Sequence, residues 1–147
     1  MCELCDYNLM LEEAGLAPND NRLRILEVIG ANAYPLTAAE IFAVIDRTKP
    51  VNRVTVYRIL DSLVQRRIVE KISGSSRAAH YGLAPNDNHL PHPHFHCTSC
   101  GLVDCLAPET LSVDQDRLMK TFAGEIERVD VRIEGTCRNC LKLKNRT

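Results

Sequence analysis

The stretch NRVTVYRILDSLVQRRIVEKISGSSRAAHYGL, residues 52–83, decides the fold. Asn52 is a favourable helix N-cap, and Val56, Leu60, Leu63 and Val64 recur at helical spacing, which predicts an amphipathic helix with those side chains inward. Thr55, Arg58, Ser62 and Arg66 then occupy the outer face, with Tyr57 at its edge. Residues 68–73 and 79–83 are β-forming runs around Gly74-Ser75-Ser76, the pattern of a two-stranded hairpin with a flexible tip. Upstream, Thr37 followed three residues later by Glu40 is a capping box, opening a helix whose apolar stripe is Ile41, Val44 and Ile45. Before it, Asp20 or Asn21 can cap a helix carrying Leu23, Leu26 and Ile29 or Gly30, and a short helix over residues 7–14 stops at Gly15. Helices in this order, followed by a hairpin, predict a winged helix-turn-helix.

Downstream the composition changes. Residues 85–94, PNDNHLPHPH, hold three prolines and several turn formers, which predicts a linker or hinge. The heptapeptide GLAPNDN stands at 15–21 and again at 82–88, but its surroundings do not match, so it reads as recurrent turn chemistry and not as a repeat architecture. Beyond the linker, residues 95–97 and 102–105 are candidate strands around a tight turn at Cys100-Gly101. Residues 113–122 have a helical pattern, and residues 125–134 alternate Ile126, Val129, Val131 and Ile133 as a strand would. A unit of about 60 residues has a marginal core, and such units usually need a metal or a partner chain. The expected class is α+β: a winged-helix domain over residues 1–84, a hinge over 85–94, and a small α/β domain over 95–147.

The chain has 147 residues, formal net charge −1, 25% charged and 45% hydrophobic side chains, and seven cysteines. Its apolar runs are far shorter than the roughly 20 residues that cross a bilayer, and residues 1–20 are acidic where an export signal would be basic and apolar. The expectation is a soluble, cytoplasmic protein in a reducing compartment, where clustered cysteines more often bind metal than pair as disulfides. Neutrality argues against a nucleic-acid partner only as an average. Residues 47–77 hold eight basic groups (Arg47, Lys49, Arg53, Arg58, Arg66, Arg67, Lys71 and Arg77) against Asp61 and Glu70, a local +6, which leaves −7 for the remainder.

Cys97-x-x-Cys100 and Cys137-x-x-Cys140 supply four thiolates, the donor set of a structural zinc site that contributes folding free energy directly. A lone redox dithiol would not explain the duplicate. Cys2-x-x-Cys5 has the same spacing without an obvious second pair and reads as a frayed terminus with accessible thiols. In an extended segment His92, His94 and His96 share one face, and Cys105 lies outside both cysteine pairs. Two imidazoles and a thiolate favour zinc over iron(II) or manganese, which more often take carboxylates. His80, His89 or Asp87 could complete the set.

In order, Leu16 through Arg22 into Ile25-Leu26, TAAEI at 37–41, VTVYRIL at 54–60, His92-x-His94-x-x-Cys97-x-x-Cys100-Gly101 and Gly135-Thr-Cys137-x-x-Cys140 resemble the ferric uptake regulator family of metal-dependent bacterial repressors. The likeness covers nearly the whole chain. It implies a winged-helix DNA-binding domain hinged to a dimerisation domain, working as a homodimer on a palindromic operator in double-stranded DNA, with metal at the hinge fixing the spacing of the two winged helices. It also implies that Cys97, Cys100, Cys137 and Cys140 hold one structural zinc, that His92 and His94 belong to the regulatory site, and that Cys105 stands where most members have Asp or Glu. His80 is preferred to His89 as the fourth ligand, because a wing-strand residue would tie the DNA-binding domain to the hinge. The recognition helix would enter the major groove with Thr55, Tyr57 and Arg58, flanked by Asn52 and Arg53. Arg58 can reach guanine O6 and N7, and the tyrosine ring a thymine methyl.

This chain departs from the family pattern at the hinge. A histidine common in iron, manganese and peroxide-sensing members is missing near Tyr34-Pro35, and the acidic ligand expected after Tyr81 is Gly82. A second regulatory site would use Pro91, Pro93, Ser112 and Val129, which do not form a ligand set. Fewer carboxylates and an added thiolate move the site toward four-coordinate nitrogen and sulfur ligation, so the expected relation is to zinc uptake regulators. Iron-, manganese- and peroxide-responsive members are the alternatives, with Fe2+ or Mn2+ as the regulatory ion. From another class, a thiol oxidoreductase lacks the thioredoxin-like βαβ setting, and a zinc hydrolase lacks a nearby Glu as general base, so no enzyme is expected.

Overall fold

Side-chain caps set the helix starts of the N-terminal unit in the computed structural model, which describes residues 5–32, 34–72, 78–86, 91–111 and 113–145. Asp6 accepts from the Leu9 N–H at 3.1 Å and opens α1, Tyr7–Glu13. Asn19, one residue before the expected cap, accepts from the Arg22 N–H at 2.9 Å and opens α2, Asp20–Ala31. Asp20 therefore sits in the first turn, where a carboxylate meets the positive end of the helix dipole. The Thr37–Glu40 capping box opens α3, Ala38–Thr48, and Asn52 caps α4, Arg53–Gln65. Between α2 and α3, the two-residue strand β1, Leu36–Thr37, was not expected from the sequence.

After α4 come β2, Val69–Ile72, and β3, His80–Leu83, antiparallel with Val69 opposite Leu83 and Ile72 opposite His80. The tip of this hairpin at 74–76 lies outside the described residues. Strand β1 pairs with the other edge of β3, giving the order β1-β3-β2. Ile25, Leu26, Ile41, Val56, Leu60 and Leu63 meet beneath this sheet with Val69, Tyr81 and Leu83. Val44, expected in the α3 stripe, is instead 42% exposed; Ala38, Ile41 and Ile45 make the buried face. At three residues from Ile41 and one from Ile45, Val44 falls on the far edge of a stripe too narrow to take it.

The two GLAPNDN copies differ in structure over their described residues. Gly15 has φ +78° and turns the chain out of α1, whereas Gly82 lies inside β3 opposite Glu70. Pairing with β2 overrides the local turn preference in the second copy.

The chain divides into two units, Met1–Pro91 and His92–Thr147. In the second, β4, His94–Cys97, lies between β5, Val103–Cys105, antiparallel to it, and β6, Arg132–Gly135, parallel to it. His94, the last residue of the expected hinge, is thus the first residue of β4. Of the expected strand 125–134, only its last three residues form ladder pairs, because a strand exists only where it finds a neighbour and β4, running parallel to it, begins at His94. Helix α5, Gln115–Thr121, is capped by Asp114, and α6, Arg138–Lys144, follows Cys137 where no helix was expected. Neither helix buries a side chain within the chain, and Leu118, Met119, Phe122, Leu141 and Leu143 are exposed. No helix among the described residues is long and apolar enough to cross a membrane.

Candidate metal centres and nucleic-acid interface

The parallel pairing of β4 with β6 places Cys97 opposite Gly135, so that Cys137 follows two residues beyond the ladder. Cys97 ends its strand and enters a turn in which the Gly101 N–H donates to the Cys97 carbonyl at 3.0 Å. Gly101 has φ +80°, a conformation that a β-carbon would strain, and this brings Cys100 back toward Cys97. Cys137 is the N-cap residue of α6 and Cys140 lies three residues on, so both cysteines face the same side of the first turn. The four sulfurs lie within 4.8 Å of one another. Zinc–sulfur bonds of about 2.3 Å require tetrahedron edges of about 3.8 Å, and the Cys100 and Cys137 sulfurs are 3.8 Å apart. The residues fit a tetrahedral thiophilic ion.

Their electrostatics have the same character. The Cys137 N–H donates to the Cys97 sulfur at 3.3 Å. That bond, with the backbone N–H groups of Cys100 and Ser99, draws the Cys97 thiol down to about 6. At Cys100 the Leu102 backbone N–H favours the thiolate, but the neighbouring Cys97 sulfur and burial outweigh it and the pKa rises. Cys140 is pushed up to about 12 by the sulfurs of Cys137 and Cys100 and by burial. Without a cation the cluster resists full ionisation, since its sulfurs would repel; a divalent ion reverses that balance.

The second group is His92, His94 and Cys105, whose ligand atoms also lie within 4.8 Å of one another. His94 is directly opposite Cys105 across the β4–β5 ladder, which puts both side chains on one face. His92 is two residues earlier and joins the same side, its ring 4.8 Å from that of His94 at 62°. The Leu106 N–H donates to the Pro93 carbonyl at 2.9 Å, and the His94 N–H to the Val131 carbonyl at 3.1 Å, fixing the backbone between the two histidines. His96 is buried and opposite Val103, outside the group. Shared parity alone did not predict this, because the residue across the ladder decides which histidine has a ligating neighbour.

His80 lies in β3 of the first unit, opposite Thr37 and Ile72. It is buried and its Nδ1 atom has no hydrogen-bond partner. Burial lowers its pKa, against smaller opposing effects of the Glu40 carboxylate and the Ala78 backbone. His89, Asp87, Ser112 and Cys2 lie outside the described residues. Cys5, expected at a frayed terminus, is disulfide-bonded and packs against the core of the first unit.

On α4, Tyr57 and Arg58 are exposed and Thr55 is half-buried. Asn52 Oδ1 accepts from the Val54 N–H at 2.8 Å and so caps the helix. Val54, passed over in the sequence, is 53% exposed beside Tyr57 and Arg58; an apolar side chain outward in a first helical turn was the available signal. The Arg53 guanidinium stacks 4.9 Å from the Phe42 ring centroid. Arg66, assigned to the outer face, donates from Nη1 to the Ala14 carbonyl at 2.6 Å and holds the end of α1.

The model of the ferric uptake regulator family matches residues 13–134. Ferric uptake regulation protein 1 of Mycolicibacterium fortuitum is 33% identical over 108 residues, which are 71% of this chain and 65% of that protein, so the chain spans about two-thirds of that relative's length. The crystal structure of the Vibrio cholerae ferric uptake regulator superposes with a TM-score of 0.71 at 25% identity, covering 90% of this chain and 100% of that one. A zinc uptake regulator solved with zinc and DNA has the same fold, with a TM-score of 0.62 at 20% identity over 94% of this chain and 92% of that one. The chain belongs to the ferric uptake regulator family, whose members are metal-responsive transcription regulators and not enzymes.

Proposed function

We propose that this protein is a cytoplasmic, zinc-sensing transcriptional repressor that binds a palindromic operator as a homodimer and controls zinc uptake genes. The observation that carries the choice of metal is the convergence of His92, His94 and Cys105, a nitrogen and sulfur set with no carboxylate among its members. Zinc, when bound there, would supply a cross-link held by His92, His94 and Cys105. His80, with its buried Nδ1 atom lacking a hydrogen bond, is the proposed fourth donor, and His89 the alternative. Cys97, Cys100, Cys137 and Cys140 hold the structural ion. The exposed Leu118, Met119, Phe122, Leu141 and Leu143 support dimerisation, since a unit with so little buried apolar surface needs a second chain to cover it.

Residues 85–94 act as the hinge between a DNA-binding domain over 1–84 and a dimerisation domain over 95–147. With the hinge ligands unjoined, the winged helices sample several orientations; ligation selects the one that fits both half-sites, provided it is tighter in that arrangement. In the major groove Arg58 takes a guanine edge, Tyr57 and Val54 offer apolar surface to thymine methyls, and Thr55 lies beside them. Asn52 serves this surface as the cap that holds the helix start.

Cys105→Ser tests the assignment. The variant is expected to keep its fold and one zinc per chain while losing zinc-dependent retention of duplexes selected from a randomised library by the wild-type protein. Unchanged zinc dependence in this variant would remove Cys105 from the regulatory site.

A further inference from the structure

We propose that Phe42 is a positioning residue for DNA: its ring holds the Arg53 guanidinium on the flank of α4, where it meets a backbone phosphate instead of a base edge. The proposal rests on the reading of α4 as the recognition helix. Arg53 and Phe42 lie on successive helices, and the guanidinium carbon is 4.9 Å from the ring centroid, within cation–π range. Phe42 is half-buried against the core of the first unit, so its ring is a fixed platform.

Helix geometry separates Arg53 from Arg58 and leaves Tyr57 between them. At about 100° per residue, Arg58 stands about 140° around α4 from Arg53, and Tyr57 about 40°. Arg53 thus leans toward α3, away from the arc of Val54 and Arg58 that would face the floor of a groove. The walls of that groove are phosphates. The guanidinium carries five N–H donors, more than one ring contact can engage, which leaves donors for two phosphate oxygens. Among the described residues no carboxylate pairs with Arg53. Holding a long side chain in place beforehand also reduces the rotamer entropy lost on binding.

The test uses the full-length zinc-loaded protein and two duplexes of equal length, one selected from a randomised library and one unrelated in sequence, titrated across a range of salt concentrations. Arg53→Ala is expected to weaken both duplexes by the same factor and to flatten the plot of log K against log salt by about two, one phosphate per protomer. Phe42→Leu, with Arg53 kept, is expected to weaken both by about five- to thirtyfold, the worth of two exposed cation–π contacts, one per protomer. Phe42→Tyr should bind as wild type. Added to Arg53→Ala, Phe42→Leu should have no further effect.

A loss in Arg53→Ala confined to the selected duplex would make Arg53 a base reader and overturn the proposal. So would an equal effect of Phe42→Leu with and without Arg53, which would mark a merely structural ring. Thermal unfolding of each variant identifies a loss that comes from misfolding. Wild-type protein that retained neither duplex under any metal would refute the DNA-binding reading itself, an outcome distinct from normal wild-type binding that these substitutions leave unchanged.

Discussion

Raising the pH is expected to tighten zinc binding at the cysteine quartet steeply, because two of its thiols begin protonated at neutral pH. Zinc takes thiolates, so every bound proton must leave as the ion enters. The Cys137 N–H and neighbouring backbone donors hold Cys97 down to about 6, and it is ionised at neutral pH. Cys140 is pushed up to about 12 by the sulfurs around it, and Cys100 is also raised once the opposing Leu102 N–H is outweighed. Zinc must therefore displace at least the Cys100 and Cys140 protons. Affinity should rise by at least about a hundredfold per pH unit between neutrality and mild alkali. Below about pH 6, where Cys97 also takes up a proton, the slope should steepen by a further tenfold per unit. The sign is set by mass action: protons are products of binding, so their removal favours the complex. Isothermal titration of metal-free Cys105→Ser protein, in buffers of contrasting ionisation enthalpy and with a competing chelator, counts the protons at this site alone. Release of fewer than two protons per zinc at neutral pH would refute the thiol assignment and the geometry behind it.

Cys137→Ser should remove the structural ion and destabilise the C-terminal unit, read as loss of bound zinc in elemental analysis and a lowered unfolding midpoint; an intact, fully folded dimer would contradict the assignment. Arg24 donates from Nη2 to the carbonyls of Ile45 at 2.5 Å and Lys49 at 2.9 Å and to Thr48 Oγ1 at 3.2 Å, closing the end of α3 with a charge from α2. Arg24→Ala should cost about 2 kcal/mol in urea unfolding of the N-terminal unit, since charge-assisted bonds are worth more than neutral ones but water can replace the exposed ones. A loss under about 0.5 kcal/mol would show that these bonds contribute nothing net.

The winged helix was legible because its helices carry a 3.6-residue apolar period and their own caps. Thr37 with Glu40 and Asn52 each fixed a boundary from the sequence. What escaped was set by neighbours. Strand β1 exists because β3 offers it an edge, and the alternating run 125–134 becomes a ladder only where β4 runs beside it. The second GLAPNDN copy is a strand at Gly82 for the same reason. The four clustered cysteines could be read from spacing, because two C-x-x-C pairs have few other uses. The histidines could not be sorted that way: His94 and His96 are equivalent by parity, and only the residues across the ladder, Cys105 and Val103, distinguish them. Arg53 was legible as a charge flanking the recognition residues, but its contact with Phe42, on the preceding helix, was not.

Zinc dependence of DNA binding is the most direct test of the account. Protein stripped by a mild chelator, with elemental analysis confirming one retained zinc per chain, should recover binding to library-selected duplex on adding zinc and not on adding iron(II) or manganese under anaerobic conditions. Recovery with iron(II) but not with zinc would contradict it.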